Sequence, residues 1–378
     1  MCPIKQTGSR TSMGRIKVSH NYHDVSRGSS YDRETVCVED HLCLLAECGE
    51  AQHQSSMAPL SRLRFASFLL TLATPSLTKG VAPGQIKNFV TFGDSYTDVS
   101  NYPAADGGYA WPTYAAGYGP FNLYPFAKDG ATCSNNLTYR PSPPIFGYQL
   151  PNYFDEVKNG TISVDPEETV YTIWIGTNDL GANALLTGSD SPDVSIVPVR
   201  QCAVDVVKVL YASGARNFIM QNIIPLDLTI LYSANSYPNR YWDEVRNTTE
   251  WNVFMRELSR SGNAITDMML EALVPTLPDA HIASFDSFGL ISDIYYNPQN
   301  YLNGTAPLNV TGCVDSCIYA INSSETGPSD CTIAEGTDRD SFLWYDELHP
   351  SEQTDRIIAR EITAVMKGEV SPWATWLS

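Results

Sequence analysis

Basic side chains are scarce in this 378-residue chain, which has 24 Lys and Arg against 42 Asp and Glu. Nucleic acids and anionic membranes bind clustered Lys and Arg, so the formal net charge of -18 argues against both as partners. No run approaches the ~20 apolar residues that cross a bilayer, so we expect no membrane span. Hydrophobic residues nevertheless make up 43% of the chain, which is enough for a large packed core.

The N-terminal part differs from the rest. Residues 1–56 hold four of the nine cysteines and four of the six histidines, but not at paired metal-ligand spacings. A basic start and an apolar stretch follow from Met57, which is typical of a signal peptide over residues 57–80. We therefore predict that 1–56 is a gene-model artefact or a disordered extension and that 81–378 is a single domain. The alternative is a genuine extension followed by a buried hydrophobic helix.

Cysteines and glycosylation sequons after Met57 favour export. Five cysteines remain there, and in an oxidising compartment most should pair. Their spacing leaves the pairing open, although the closely spaced Cys313, Cys317 and Cys331 are typical of a loop closed by a disulfide. We predict a secreted, extracellular glycoprotein with N-x-[ST] sequons at Asn136, Asn159, Asn247, Asn303, Asn309 and Asn322.

Short apolar segments alternate with amphipathic ones from about residue 86 onward. This alternation predicts one three-layer α/β/α domain with a mostly parallel sheet, of the flavodoxin-like kind, with loop insertions. The predicted strands are Asn88–Phe92, Val170–Ile175, Asn217–Asn222 and His281–Phe285. The predicted helices are Ile196–Ser213, Tyr241–Leu273 and 351–366, and the predicted insertions are 101–155, 225–240 and 297–345.

Histidine is the scarcest catalytic residue type, since only His281 and His349 follow Met57. His281 begins a predicted strand, where a structural role is expected. His349 lies in the segment Asp-Glu-Leu-His-Pro, so Asp346 precedes it by three residues. A carboxylate at that spacing can accept the Nδ1 proton and leave Nε2 free as a base.

Three further polar or glycine-containing segments could complete an active site. Ser95 follows the first predicted strand in Gly-Asp-Ser, and Asn178 follows a later strand in Gly-Thr-Asn-Asp. Open α/β folds bind ligands at the carboxyl ends of such strands. Ser95 is a candidate nucleophile, whereas Asn178 and the backbone of Gly130 are candidate oxyanion donors. The chain has no G-x-S-x-G nucleophile elbow, which argues against the α/β-hydrolase family.

Taken together, these segments resemble the GDSL or SGNH hydrolase family from about residue 86 to 366. Gly93-Asp94-Ser95, Gly130, Gly176-x-Asn178-Asp179 and Asp346-x-x-His349 match its four blocks. The opening FVTFGDSYTD and the Asp-x-x-His-Pro ending are most similar to fungal secreted carbohydrate acetylesterases. The resemblance implies a catalytic Ser95, Asp346 and His349, an oxyanion hole of Ser95, Gly130 and Asn178, and neither metal nor cofactor.

The predicted reaction is the removal of acetyl groups from carbohydrate esters of hemicellulose-derived oligosaccharides through an acyl-enzyme. We expect Trp111 and Asp179 to contact the substrate, and the loop aromatics Tyr109, Tyr114 and Tyr118 to offer ring faces to sugars. The protein is predicted to be a monomer. Two alternatives stay open, a GDSL lipase or phospholipase acting on longer acyl esters and a secreted carbohydrate-binding relative without catalysis.

Overall fold

Nearly continuous apolar segments, rich in β-branched and aromatic residues, form the central strands. The computed structural model describes residues 79–188, 194–322 and 330–378. Its strands are β1 (Asn88–Gly93), β2 (Asn122–Pro125), β3 (Thr169–Trp174), β4 (Asn217–Gln221), β5 (His281–Phe285), β6 (Asn309–Cys313), β7 (Asp315–Ile318), β8 (Asp330–Ile333), β9 (Phe342–Trp344) and β10 (Ala374–Trp376).

Three of the described helices begin where a polar side chain accepts one of their first N–H groups. Asn247 caps one long helix by accepting the N–H of Glu250 at 3.2 Å, and Ser351 caps the last one by accepting the N–H of Thr354 at 3.2 Å. The helices are α1 (Trp111–Tyr118), α2 (Gln149–Lys158), α3 (Thr177–Leu180), α4 (Ile196–Ala212), α5 (Thr248–Leu273), α6 (Ser287–Tyr296) and α7 (Glu352–Met366).

The six-stranded sheet has the order β10-β5-β4-β3-β1-β2. Every neighbouring pair is parallel except β10 and β5, which are antiparallel. The first strand lies between the second and the third, so the chain reverses its direction of winding between β1 and β3. Such a switch point opens a crevice at the carboxyl ends of the two strands.

Successive residues of the parallel strands point to opposite faces of the sheet and build two cores. Phe89 and Val170 pack on the face covered by α1 and α7, whereas Val90 and Tyr171 pack on the face covered by α2 and α4. The predicted three-layer α/β/α architecture with a mostly parallel sheet is therefore confirmed.

Two predicted segments differ from the structure. Residues 101–155 are not only a loop insertion, because they contain α1, the edge strand β2 and α2. β2 reads Asn-Leu-Tyr-Pro, and an edge strand this polar lacks the apolar run of a central one. The helix predicted from Tyr241 begins at Thr248 instead, because Asn239 accepts the N–H groups of Tyr241 and Trp242 and holds a turn there.

Two disulfides join described residues, Cys133 to Cys202 and Cys317 to Cys331, and Cys313 is buried as a free thiol. The first ties the loop after Gly130 to α4. Residues 1–56 and nearly all of the predicted signal peptide lie outside the described residues, so the predicted domain division stays a prediction. None of the described helices combines the length and apolar character needed to cross a membrane.

Candidate active site

The turn after β1 places Ser95 just beyond the carboxyl edge of the sheet. The Asp94 carboxylate accepts the N–H of Tyr96 at 3.2 Å, and its backbone carbonyl accepts those of Thr97 and Asp98 at 3.0 Å each. The chain therefore turns sharply around Ser95, which lies at the switch point beside the end of β3. Its Oγ is 2.8 Å from Nε2 of His349, a residue 254 positions later.

Asp346 holds His349 from the opposite side. Its two carboxylate oxygens each lie 3.1 Å from Nδ1 of His349. The same carboxylate accepts the backbone N–H groups of Leu348 and His349 at 2.8 and 2.7 Å, so the short loop before α7 folds around it. The structure thus brings Ser95, His349 and Asp346 together in one hydrogen-bonded row, and all three are buried.

Electrostatics favour a charged His349 next to a charged Asp346. Burial alone would raise the pKa of Asp346, but the charge of His349 and the hydrogen bonds from it hold this pKa below its usual value. Burial lowers the pKa of His349, whereas the carboxylates of Asp346, Asp106 and Asp129 raise it to a net value of about 9. A proton taken by this imidazole is therefore strongly held, and the neutral base form gains population as the pH rises.

Three N–H donors converge beside Ser95. Within the described residues, the backbone N–H groups of Ser95 and Gly130 have no hydrogen-bond acceptor. The Asn178 side-chain amide donates one hydrogen to the carbonyl of Ala131 at 3.0 Å and has a second hydrogen available. All three residues line the same pocket, so an oxyanion formed there would meet preorganised donors.

Two glycines are required by this geometry. Gly130 has a φ of +69°, and a Cβ on it would lie 2.3 Å from Oγ of Ser142. Gly176, which precedes α3, has a φ of +137°, and a Cβ there would lie 2.7 Å from a guanidinium nitrogen of the buried Arg200. A side chain at either position would therefore strain the backbone next to a donor.

The structure buries the two residues predicted to contact the substrate, Asp179 and Trp111. Asp179 is fully buried and accepts the N–H of Cys133 at 3.2 Å and the hydroxyl of Thr138. Trp111 is also fully buried, and its indole N–H donates to Thr97 at 3.3 Å. Neither side chain lines the pocket, so the structure lends no support to the two substrate contacts, which stay predictions. Asp179 instead supports the loop that carries Gly130.

Tyr241 is a component of the site that the sequence did not reveal. Its hydroxyl donates to Oδ2 of Asp346 at 2.5 Å and lies 2.9 Å from Nδ1 of His349. Burial and the charge of Asp346 raise the pKa of Tyr241 well above its usual value, so the phenol stays protonated and remains a donor. The sequence pattern placed Tyr241 at the start of a predicted helix that ends at Leu273. In the structure this helix begins only at Thr248, and Tyr241 lies in the turn before it.

The Tyr241 hydroxyl gives a testable prediction. We expect Tyr241→Phe to lower kcat about tenfold, since a hydrogen bond to a charged group is lost. That bond lowers the pKa of Asp346, so without it the carboxylate is more basic, holds the Nδ1 proton more tightly and raises the pKa of His349. His349 is a base only when neutral, so the acid limb of the kcat/KM profile should move to higher pH. A pH–rate profile measures this shift.

Tyr237→Phe is the matched control. Its hydroxyl donates to another carboxylate, Glu347, at 3.0 Å, and is not bonded to Asp346 or His349. This variant should leave the position of the acid limb unchanged. An unchanged profile in Tyr241→Phe would contradict the positioning role of Tyr241.

The pocket around these residues encloses about 180 Å³. Beside the polar groups its wall contains the apolar or aromatic side chains Ala182, Leu231, Tyr232 and Leu348. Tyr232 is fixed in place because its hydroxyl accepts the N–H of Ala182 at 3.1 Å.

His281 lies in β5 and does not line the pocket. Among the described residues, no three His, Cys, Asp or Glu side chains are grouped as metal ligands.

Comparisons with known proteins agree with this geometry. The family model described as GDSL-like lipase/acylhydrolase matches residues 89–362. An acetylesterase of Hypocrea jecorina is 32% identical over 77% of this chain and 91% of its own length. An acetylesterase of Thermothelomyces thermophilus is 22% identical over 75% and 89%, respectively. A GDSL esterase/lipase of Arabidopsis thaliana is 25% identical over 51% of this chain and 50% of its own length.

Proposed function

The chain belongs to the GDSL-like lipase/acylhydrolase family and is a carboxylic ester hydrolase, and we propose that it removes acetyl groups from carbohydrate esters. The observation that carries the catalytic part is the 2.8 Å contact between Ser95 Oγ and His349 Nε2, with Asp346 behind the imidazole. Acetyl specificity is supported by the small pocket and by the two relatives named acetylesterase.

In the proposed mechanism, Ser95 Oγ attacks the acyl carbon while His349 Nε2 takes its proton. Asp346 holds the Nδ1 proton and stabilises the imidazolium. The N–H groups of Ser95, Gly130 and Asn178 bind the oxyanion of the tetrahedral intermediate. His349 then gives its proton to the departing sugar oxygen, and an acyl-serine remains. Water attacks this ester with His349 as base, which releases acetate and restores the serine.

Longer acyl chains fit the pocket poorly. About 180 Å³ is below the roughly 300–1,000 Å³ of pockets for drug-sized ligands, and Tyr232 is hydrogen-bonded in place as part of the wall. A lipase or phospholipase needs an extended apolar path for its acyl chain. The pocket size therefore favours the acetylesterase over that alternative.

An ester panel tests the proposed specificity. We expect kcat/KM to be highest for 4-nitrophenyl acetate among nitrophenyl esters and to fall steeply as the acyl chain lengthens, because the pocket has room for a short acyl group. Acetate release from acetylated xylo-oligosaccharides, followed by chromatography, tests the carbohydrate part. A clear preference for a long-chain ester, or no acetate from the oligosaccharides, would contradict the proposal.

Export is also part of the proposal. The disulfides Cys133–Cys202 and Cys317–Cys331 suit an oxidising compartment. Of the six sequon asparagines, Asn309 is half-buried and the other five are exposed, which is compatible with glycans. The monomeric state stays a prediction.

A further inference from the structure

A second depression adjoins the catalytic pocket. Asn183 and Tyr241 line both, so the two cavities meet at these side chains. The second one, here called the side groove, has a volume of about 290 Å³ and is also lined by Trp242 and Tyr319. Because an ester substrate has an acyl part and a leaving-group part, a groove next to an acetyl-sized pocket is placed to receive the leaving group.

Asn183 is held in an unusual conformation at this junction. Its φ of +62° lies in the left-handed region, which residues other than glycine seldom adopt. The side chain is exposed, and within the described residues it makes no hydrogen bond. An amide with free donors and acceptors is therefore presented where the pocket opens into the side groove.

The aromatic residues of the side groove come from two separate parts of the chain. Trp242 packs against Trp251 with ring centroids 5.1 Å apart, and its backbone pairs with Asn239. Tyr319 follows β7, and its N–H donates to the carbonyl of Pro238 at 2.9 Å. Both rings are half-buried, so each is fixed by the fold and still partly accessible.

The charges of the side groove select against anionic ligands. Asp243 and Glu244 line it, and neither forms an ion pair within the described residues. Arg240 also lines it, but its guanidinium is paired with Asp315 at 3.0 Å and with Glu347 at 2.9 Å. A neutral molecule with many hydroxyl groups and apolar C–H faces matches amide and carboxylate acceptors beside aromatic rings.

We propose that the side groove binds a neutral sugar residue adjacent to the acetylated one, so that the preferred substrate is an oligosaccharide and not a single sugar. Asn183 hydrogen-bonds the sugar hydroxyls, and Trp242 and Tyr319 contact the ring faces. This inference rests on the proposed carbohydrate acetylesterase function and adds to it the site that recognises the leaving group.

The test compares two substrates in the same variants. Asn183→Gly removes the amide and keeps a residue that tolerates positive φ. Its kcat/KM for acetylated xylo-oligosaccharides should fall about tenfold more than its kcat/KM for the sugar-free ester 4-nitrophenyl acetate, since about one good hydrogen bond is lost. Tyr319→Ala should change the ratio in the same direction. Asp279→Gly is the matched control, because Asp279 is exposed with a φ of +61° in the turn before β5.

The outcomes separate this inference from the proposed function. A selective loss on the oligosaccharide in Asn183→Gly and Tyr319→Ala, with Asp279→Gly unchanged, supports the subsite. An equal loss on both substrates, or no loss on either, overturns it while the acetylesterase proposal stands. A wild-type enzyme that cleaves 4-nitrophenyl acetate but releases no acetate from the oligosaccharide overturns both.

Discussion

Ser95→Ala is expected to lower kcat for 4-nitrophenyl acetate about 10⁶-fold, the scale of loss when the nucleophile of a serine triad is removed. Without Oγ no acyl-enzyme can form, although the oxyanion donors remain. The fold should persist, because the only hydrogen bond of the hydroxyl among the described residues is the 2.8 Å bond to His349. The measurement is kcat beside a thermal unfolding curve.

Ser100→Ala is a matched control for this experiment. Ser100 lies five positions further along the same loop, is exposed, and hydrogen-bonds to Asp98. It should keep wild-type turnover. Covalent labelling by an organophosphorus probe should be seen in the wild type and in Ser100→Ala, and should be lost in Ser95→Ala. A Ser95→Ala protein with wild-type activity would refute the assignment, and a wild type that resists labelling would favour the non-catalytic binding alternative.

Asp346→Asn is expected to lower kcat about 10⁴-fold. An amide that donates toward Nδ1 of His349 would favour the tautomer with hydrogen on Nε2, and that nitrogen could no longer accept the proton of Ser95. The amide also cannot stabilise the imidazolium as a carboxylate does. The loss should appear in kcat more than in KM, because the charge that Asp346 stabilises develops in the transition state.

Glu347→Gln provides the contrast, since it changes a neighbouring buried carboxylate in the same way. Glu347 accepts the N–H of Cys317 at 2.8 Å and pairs with Arg240, so its loss should lower the unfolding temperature. The activity of the folded fraction should fall far less than in Asp346→Asn. Equal losses in the two variants would mean that Asp346 acts through the stability of the loop and not through His349.

Much of the site was predictable because it depends on the ends of strands. The carboxyl ends of parallel strands share one edge of a sheet, so a serine after β1 and an asparagine after β3 were expected at the same edge once the α/β alternation was recognised. His349 was singled out by the scarcity of histidine, and Asp346 by its three-residue spacing. These signals are local and need no knowledge of how the loops fold.

Side chains brought together by loops were predicted poorly. Trp111 was expected at the substrate because it lies in an aromatic segment, yet α1 turns it into the core against Phe89. Asp179 adjoins Asn178 in the sequence, but its buried carboxylate accepts the N–H of Cys133 and the hydroxyl of Thr138 and does not line the pocket. Aromatic composition does not distinguish a ring that packs in the core from one that faces a substrate, since the same apolar surface serves both.

The sequence by itself indicated the fold class through its apolar periodicity, and it predicted the serine, the histidine, its aspartate and the oxyanion residues through strand ends, short spacings and a family resemblance. Tertiary structure alone decided which four of the five cysteines after Met57 pair, the contact of Tyr241 with Asp346 and the position of Asn183 between the two cavities. Tyr241 and Asp346 are 105 residues apart, and their contact depends on the paths of two loops. The hydrogen bonds of Asn239 and the packing of the loops against the folded sheet set those paths. Neither can be inferred from a short stretch of sequence.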